Sequence, residues 1–439
     1  MFQSFPCTAY LLANVRPAPW VELRKGFWLL ASGFGLVYSL LAGLPTFAQK
    51  TVFRTLNGRR LSAASIDQTV TQLMDSALVP GLAVALLDGN KVAYLRAYGL
   101  RNVAEKAPLT PETTMYGASF SKAVFAYLVM QLVQEKQLDL DKPLHQYLPK
   151  PLPEYEAYQD LAGDARWQRL TARMALAHTT GLPNWRWLER KDWLQESSRG
   201  LPNGRELEPD EKLRFKFEPG ARYGYSGEGI QLLQLVVETV AGQTLTELSE
   251  ARVFKPLGMG RSSYVWQPAF EANYAVGYNE QGQPLKKRKR SKPGAAGSLE
   301  TTPADYAAFL AAVMHNRGLT PAAKQEMTRV QVRIPFKAQF GPLATVAAPD
   351  SNRTIQLAYG LGWGVFHSPR YGPVYFKEGH DDGWENHSVV FAQQKKGLLL
   401  MSNSSNADGI FKALLARLLG DTDTPWQWEN YVPFNVPEK

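Results

Sequence analysis

A chain of 439 residues with 45% hydrophobic and 20% charged residues can bury a sizeable core, which excludes global disorder, and its length suits one large catalytic body. The single cysteine, Cys7, lies ahead of the first strongly apolar stretch, which excludes disulfides, thiolate metal sites and a cysteine nucleophile from the body of the chain. The net charge of +9 looks like a nucleic-acid footprint, but Lys286, Lys287, Arg288, Lys289, Arg290 and Lys292 supply six of it and leave +3.

Taken in chain order, Arg24 and Lys25 precede an apolar run from Gly26 to Leu44 that ends at Pro45-Thr46-Phe47-Ala48, where small residues admit cleavage. Residues 1–48 therefore read as an export signal that sends the protein to the periplasm or exterior, with an uncleaved membrane anchor or an internal start as alternatives. Residues 49–439 read as a single domain with a helical lobe over roughly 123–290. Ser65 and Gln68 form a capping-box pattern ahead of the apolar face Ile66, Val70, Leu73 and Met74. Leu82 to Leu87 and Lys91 to Tyr98 read as a hairpin around Asp88-Gly89-Asn90.

Near the other end, Ser388 to Ala392 and Leu398 to Asn403 form a second strand pair, and a helix from Ile410 to Leu419 stops at Gly420. Strands from both chain ends around helix-rich sequence predict an α+β fold: one antiparallel sheet flanked by helices with an inserted helical lobe, and a cleft between them as the active site. The basic run, set between Gly282, Pro284 and Pro293, reads as a solvated loop. An export signal conflicts with a nucleic-acid role and leaves contact of 286–292 with an anionic envelope surface as the partner to expect, beside a small-molecule or peptide substrate.

Ser119-Phe120-Ser121-Lys122 opens an apolar-periodic segment through Val124, Tyr127, Leu128, Leu132 and Val133, so Ser119 and Lys122 share a face at a helix start. A serine hydroxyl is a poor nucleophile near neutrality, and a neighbouring desolvated amine can take its proton while helix N–H groups receive a developing oxyanion. One Ser-x-x-Lys also arises by chance, as an N-cap serine followed by a surface lysine. Gly117-Ala118-Ser119-Phe120-Ser121 lacks the last glycine of the α/β-hydrolase elbow, and no βαβ alternation surrounds it.

Other matches accompany the pair, in order. They are Val79-Pro80-Gly81, Met115-Tyr116-Gly117-Ala118-Ser119, His178-Thr179-Thr180-Gly181-Leu182-Pro183, Glu218-Pro219-Gly220, Tyr225-Ser226, Pro256-Leu257-Gly258-Met259, Ala296-Gly297-Ser298-Leu299 and Tyr359-Gly360-Leu361-Gly362-Trp363. With these motifs the chain resembles the serine β-lactamase-like family, in particular its class C lactamase, penicillin-binding protein, esterase and D-alanyl carboxypeptidase branch. The resemblance implies Ser119 as nucleophile, Lys122 as activating amine and Tyr225 as phenolate-type base or proton shuttle, with no cofactor and no metal. Gly227 stands where that family carries a substrate-binding asparagine.

The family's Lys-Thr-Gly element fits Lys377-Glu378-Gly379, with His380 supplying an oxyanion N–H; in a second register His380 itself replaces the lysine. A carboxylate at 378 repels a substrate carboxylate, unless strand alternation turns Glu378 away and leaves Lys377 facing the pocket. Glu378, His380, Asp381, Asp382, Glu385 and His387 match no spaced metal signature, and Trp185, Trp187 and Trp193 either line an apolar subsite or pack in the lobe. The reading is a serine hydrolase that forms an acyl-enzyme on ester or amide substrates, D-amino-acid peptides and β-lactams among them; efficient β-lactamase action is disfavoured. Its alternative is a catalytically weak or inactive penicillin-binding-like sensor or binding protein.

Overall fold

The computed structural model describes residues 52–186, 212–340, 342–347 and 350–434. The expected export segment, Cys7, Trp187 and Trp193 lie outside the described residues.

Strands β1 (Val52–Arg54) and β2 (Arg60–Ser62) pair and lead into helix α1 (Ala63–Ser76). The cap of α1 is Ser62 rather than the expected Ser65: Ser65 N–H donates to the Ser62 hydroxyl at 3.1 Å. Ser62 ends a strand, so its backbone already has the extended conformation that an N-cap requires, at φ −79° and ψ 158°. The hairpin forms as read, from β3 (Gly81–Asp88) and β4 (Lys91–Asn102), with Gly89 and Asn90 at φ 60° and 61° in the two-residue turn.

The remaining strands are β5 (Ala107–Pro108), β6 (Met115–Ala118), β7 (Leu299–Thr301), β8 (Val332–Arg333), β9 (Ala358–Tyr359), β10 (Gly364–Ser368), β11 (Gly372–Asp381), β12 (Trp384–Phe391) and β13 (Lys396–Ser402). Nine of the strands form one sheet in the order β5-β4-β3-β13-β12-β11-β10-β9-β8, with antiparallel neighbours throughout. The N-terminal hairpin and the C-terminal strands meet at β3 and β13, where Ala85 faces Leu399. Between them come the helices α2 (Phe120–Gln134), α3 (Ala172–Leu176), α4 (Gly227–Ala241) and α5 (Pro303–Met314), and α6 (Asp408–Leu418) follows β13. This is the expected α+β architecture.

Both faces of the sheet are covered, which is why β3 is apolar at successive positions rather than alternate ones. Leu82, Val84 and Leu86 pack with Val70 of α1 and Leu414 of α6, whereas Ala83, Ala85 and Leu87 join the core of α2 and α5. Helix α2 is buried all round from Phe120 to Leu132, not along one stripe, as befits a helix at the centre of a domain.

The basic run is only in part the solvated loop expected. Lys286, Lys289 and Lys292 are exposed. Lys287 is 7% exposed, lies 2.6 Å from buried Glu300 and sits 4.6 Å from the Trp384 ring centre. Burial outweighs the Glu300 carboxylate and lowers the Lys287 pKa. Arg290 stacks 4.3 Å from the Tyr116 ring and donates to its hydroxyl. Periodicity cannot distinguish an inward from an outward lysine here, because the aromatic partners come from distant strands. Among the described residues no helix is long and apolar enough to cross a membrane.

Candidate active site

Ser119 sits between β6 and α2, as the residue that caps the helix. Ala118, just before it, has φ 46°, a left-handed conformation that costs a non-glycine residue about 1 to 3 kcal/mol and is retained where the surroundings over-determine it. Those surroundings are visible. The β6–β7 register shifts between Tyr116 and Ala118, the mark of a bulge, and the Ser121 hydroxyl donates to Ala118 O at 2.6 Å while accepting from Leu299 N–H at 2.9 Å. The turn thus aims the Ser119 hydroxyl away from the strand and toward the adjacent first turn of α2. One helical turn on, Lys122 is 1% exposed, and its Nζ lies 3.1 Å from Ser119 Oγ and 2.5 Å from Ala296 O.

Tyr225 comes from the segment leading into α4. His178, itself at φ 57°, holds that segment twice: its carbonyl accepts from Gly224 N–H at 2.8 Å and its Nδ1 from Ser226 N–H at 3.2 Å. The two rings lie 4.2 Å apart. Burial, then the nearby Lys122 and Lys377, push the His178 pKa well below its ordinary value, so this imidazole is uncharged. Tyr225 faces Lys122, whose Nζ is 4.8 Å from its ring centre, and its hydroxyl accepts from Lys377 at 3.4 Å. Burial raises the Tyr225 pKa against the opposing effects of Lys377 and of a hydrogen bond with Ser119, which leaves a neutral phenol near neutral pH.

Strand β11 closes the site. A Cβ at Gly379 would lie 2.5 Å from Gly117 O and 3.2 Å from Phe120 N, so the strand touches the turn that carries Ser119 backbone to backbone. Asn386 joins the same strands, donating to Gly379 O at 2.9 Å and Tyr116 O at 3.2 Å. Lys377, fully buried, is the cation beside Tyr225; the His380 side chain pairs instead with Glu385 at 2.5 Å. Of the two registers, the geometry therefore places the Lys377 ammonium, not the imidazole, beside Tyr225. Glu378 is not turned away: its carboxylate accepts from Lys377 at 2.6 Å and from Gln339 at 3.0 Å. Burial disfavours both charges, yet the pair prevails, so that Lys377 is raised and Glu378 lowered in pKa.

Burial opposes charge on His380, but Glu385 more than compensates and raises the imidazole to about 9. This pairing stabilises the fold fully below the ordinary histidine pKa and is lost as pH rises through about 9. Urea unfolding of the parent and of His380→Asn is expected to show the parent losing its advantage between pH 6.5 and 9, and a constant difference over that window would refute the pairing.

The acidic and histidine-rich stretch disperses into pairs, Lys377–Glu378, His380–Glu385 and His387–Glu429. Among the described residues no group of three such side chains is placed to hold a metal ion. Gly227 has a local cause: a Cβ there would meet Asn184 O at 2.6 Å and the Trp185 ring at 3.0 Å, so the Asn184 carbonyl first, and the half-buried indole beside it, leave no room for an asparagine. A cavity of about 540 Å³ lies beside the basic run, lined by Tyr116, Trp384, Lys287, Arg288, Arg290 and Asp381 among others; Ser119, Lys122 and Tyr225 are not in its wall. Sequence reasoning assigned no role to His178 beyond its motif and none to Ser121, Gln339, Phe340 or Asn386. A histidine followed by Thr179, Thr180 and Gly181 was the one usable signal among them.

A Ser-x-x-Lys pair at a helix start, against an antiparallel sheet covered by helices, is the arrangement of the serine β-lactamase and transpeptidase fold. Residues 66–421 match the family described as beta-lactamase, and the chain belongs to that family. It is 31% identical to esterase EstB of Burkholderia gladioli over 244 residues, 52% of this chain and 59% of that protein. It is 23% identical to protein flp of Staphylococcus aureus over 346 residues, 78% of this chain and 63% of that one. The chain thus spans about three-fifths of the length of these curated relatives.

Two solved structures share the fold. The octameric penicillin-binding protein homologue from Pyrococcus abyssi has a TM-score of 0.63 at 22% identity, with 83% of this chain and 78% of that one covered. The D-alanine carboxypeptidase AmpC from Burkholderia cenocepacia has a TM-score of 0.59 at 21% identity, covering 81% of this chain and all of that one.

Proposed function

We propose that this protein is a serine hydrolase that transfers an acyl group from uncharged ester or amide substrates to Ser119 and then to water. The observation that carries the reading is the 3.1 Å contact between Lys122 Nζ and Ser119 Oγ at the start of a buried helix. In its neutral form Lys122 accepts the Ser119 proton as Oγ attacks the carbonyl carbon. The raised pKa of Tyr225 favours proton shuttle over standing phenolate: the phenol passes its proton to the departing oxygen or nitrogen and regains one from Lys122. The N–H groups of Ser119 and His380 are the proposed oxyanion donors, the first at the α2 N-terminus and the second on the strand pressed against it. Water then enters by the reverse proton path and releases the acid. Export to the periplasm or exterior is proposed on the sequence of residues 1–48.

Mass spectrometry after reaction with a fluorophosphonate probe tests the nucleophile. One adduct on Ser119, absent from Ser119→Ala, is the expected result. A folded protein that stays unlabelled at Ser119 would move a sensor or binding role to first place.

A further inference from the structure

We propose that Glu378 sets this site against substrates carrying a carboxylate next to the scissile group, by occupying the ammonium that would otherwise receive it. The proposal rests on the acyl-transfer reading above and names its substrate class. A lysine ammonium has three N–H donors. Those of Lys377 are all taken within the protein: Glu378 Oε1 at 2.6 Å, Glu378 O at 2.9 Å and Tyr225 Oη at 3.4 Å. No donor remains for a ligand, and the ammonium is wholly buried.

The carboxylate is held in place. Gln339 donates to Glu378 Oε1 at 3.0 Å, and Gln339 is itself anchored through its backbone N–H to Trp428 O at 2.8 Å. Lys122, the other buried lysine at the site, is engaged with Ser119 Oγ and Ala296 O, and His178 is uncharged. Lys377 and Glu378 thus form a neutral unit, and a substrate carboxylate brought to it finds no uncompensated cation to offset the loss of its own hydration. The neighbouring surfaces suit an uncharged acyl group: Phe340 stands edge-on to Tyr225 at 5.3 Å, and Trp185 covers Gly227.

The test compares the full-chain protein with Glu378→Gln on two esters whose trans geometry keeps the second carboxyl from attacking the scissile carbonyl, the mono-p-nitrophenyl ester of fumaric acid and its methyl ester, each rate normalised to hydroxide hydrolysis. The parent is expected to favour the uncharged ester by about tenfold or more in kcat/KM, and Glu378→Gln to shift the ratio toward the charged one by about tenfold, mainly through KM. Ratios that agree within about twofold in both proteins overturn the proposal.

Calorimetric binding of fumarate, the acid that the charged ester releases and one that keeps a carboxylate beside the scissile end, gives a readout independent of turnover. About tenfold tighter binding to Glu378→Gln supports the role of Glu378, and equal binding overturns it. Fluorophosphonate labelling of the same samples reports the hydrolase reading separately, so an unlabelled protein whose anion binding responds to Glu378→Gln loses the enzymatic reading alone. Should Glu378→Gln fail to fold, Gln339→Ala, which removes one of the two donors to Glu378 Oε1 and so loosens the hold on that carboxylate, is expected to move both readouts in the same direction by about threefold, and no movement is the overturning result.

Discussion

Lys122→Met is expected to lower the rate of Ser119 acylation by about 10³-fold, equivalent to about 4 kcal/mol of barrier, while leaving substrate affinity nearly unchanged. The side chain is 1% exposed on a helix buried all round, so alanine would combine loss of the amine with a cavity in the core. Methionine keeps the length and apolar volume and removes only the group that takes the proton. What it leaves is Tyr225, whose phenol is held above its ordinary pKa by burial and is therefore a poor acceptor at neutral pH. Stopped-flow acylation with a p-nitrophenyl ester under single-turnover conditions measures the step directly. A loss smaller than about tenfold would mean that the Ser119 proton leaves by another route.

Gly379→Ala is expected to reduce kcat by about 10²-fold and to cost about 1 to 3 kcal/mol of stability through the same clash. The new methyl would stand 2.5 Å from Gly117 O and 3.2 Å from Phe120 N, both backbone atoms, so relief requires β11 to move away from the nucleophile turn. That movement takes Lys377 from Tyr225 and the His380 N–H from the proposed oxyanion position. A matched substitution, Gly260→Ala, meets nothing within 4 Å and serves as the control. Equal kcat in the two variants would show that the close approach of strand and turn is not needed for turnover.

The α+β class, the terminal hairpin and strand pair, and the Ser119–Lys122 dyad are all legible in the amino-acid sequence, because each is written in local terms. Turn residues lie between apolar runs, and two chemical side chains lie three apart at a helix start. The cap of α1 was misplaced by three residues for a similar reason: Ser62 and Ser65 carry the same side chain, and only the strand ending at Ser62 decides between them. Periodicity located α2 at Ser119 as well, and the fold adds that a helix enclosed by β6, β11 and its neighbouring helices has no face left for water.

What the tertiary structure decided were relations that no local pattern records, between residues up to 152 positions apart. The choice of Lys377 over His380 turns on which side chain meets Tyr225, and the answer depends on Glu385 of the next strand capturing the imidazole. The direction of Glu378 was open on strand alternation alone; Gln339, in a loop without any motif, and the buried Lys377 draw its carboxylate to the site. Gly227 reads in the sequence as a lost asparagine, yet in the fold it is the space that the Trp185 ring requires. Local pattern determined which groups are proposed to carry the chemistry. Long-range packing decided which of them touch and which charges cancel, because a buried charge is governed by the partners that folding brings within hydrogen-bonding distance.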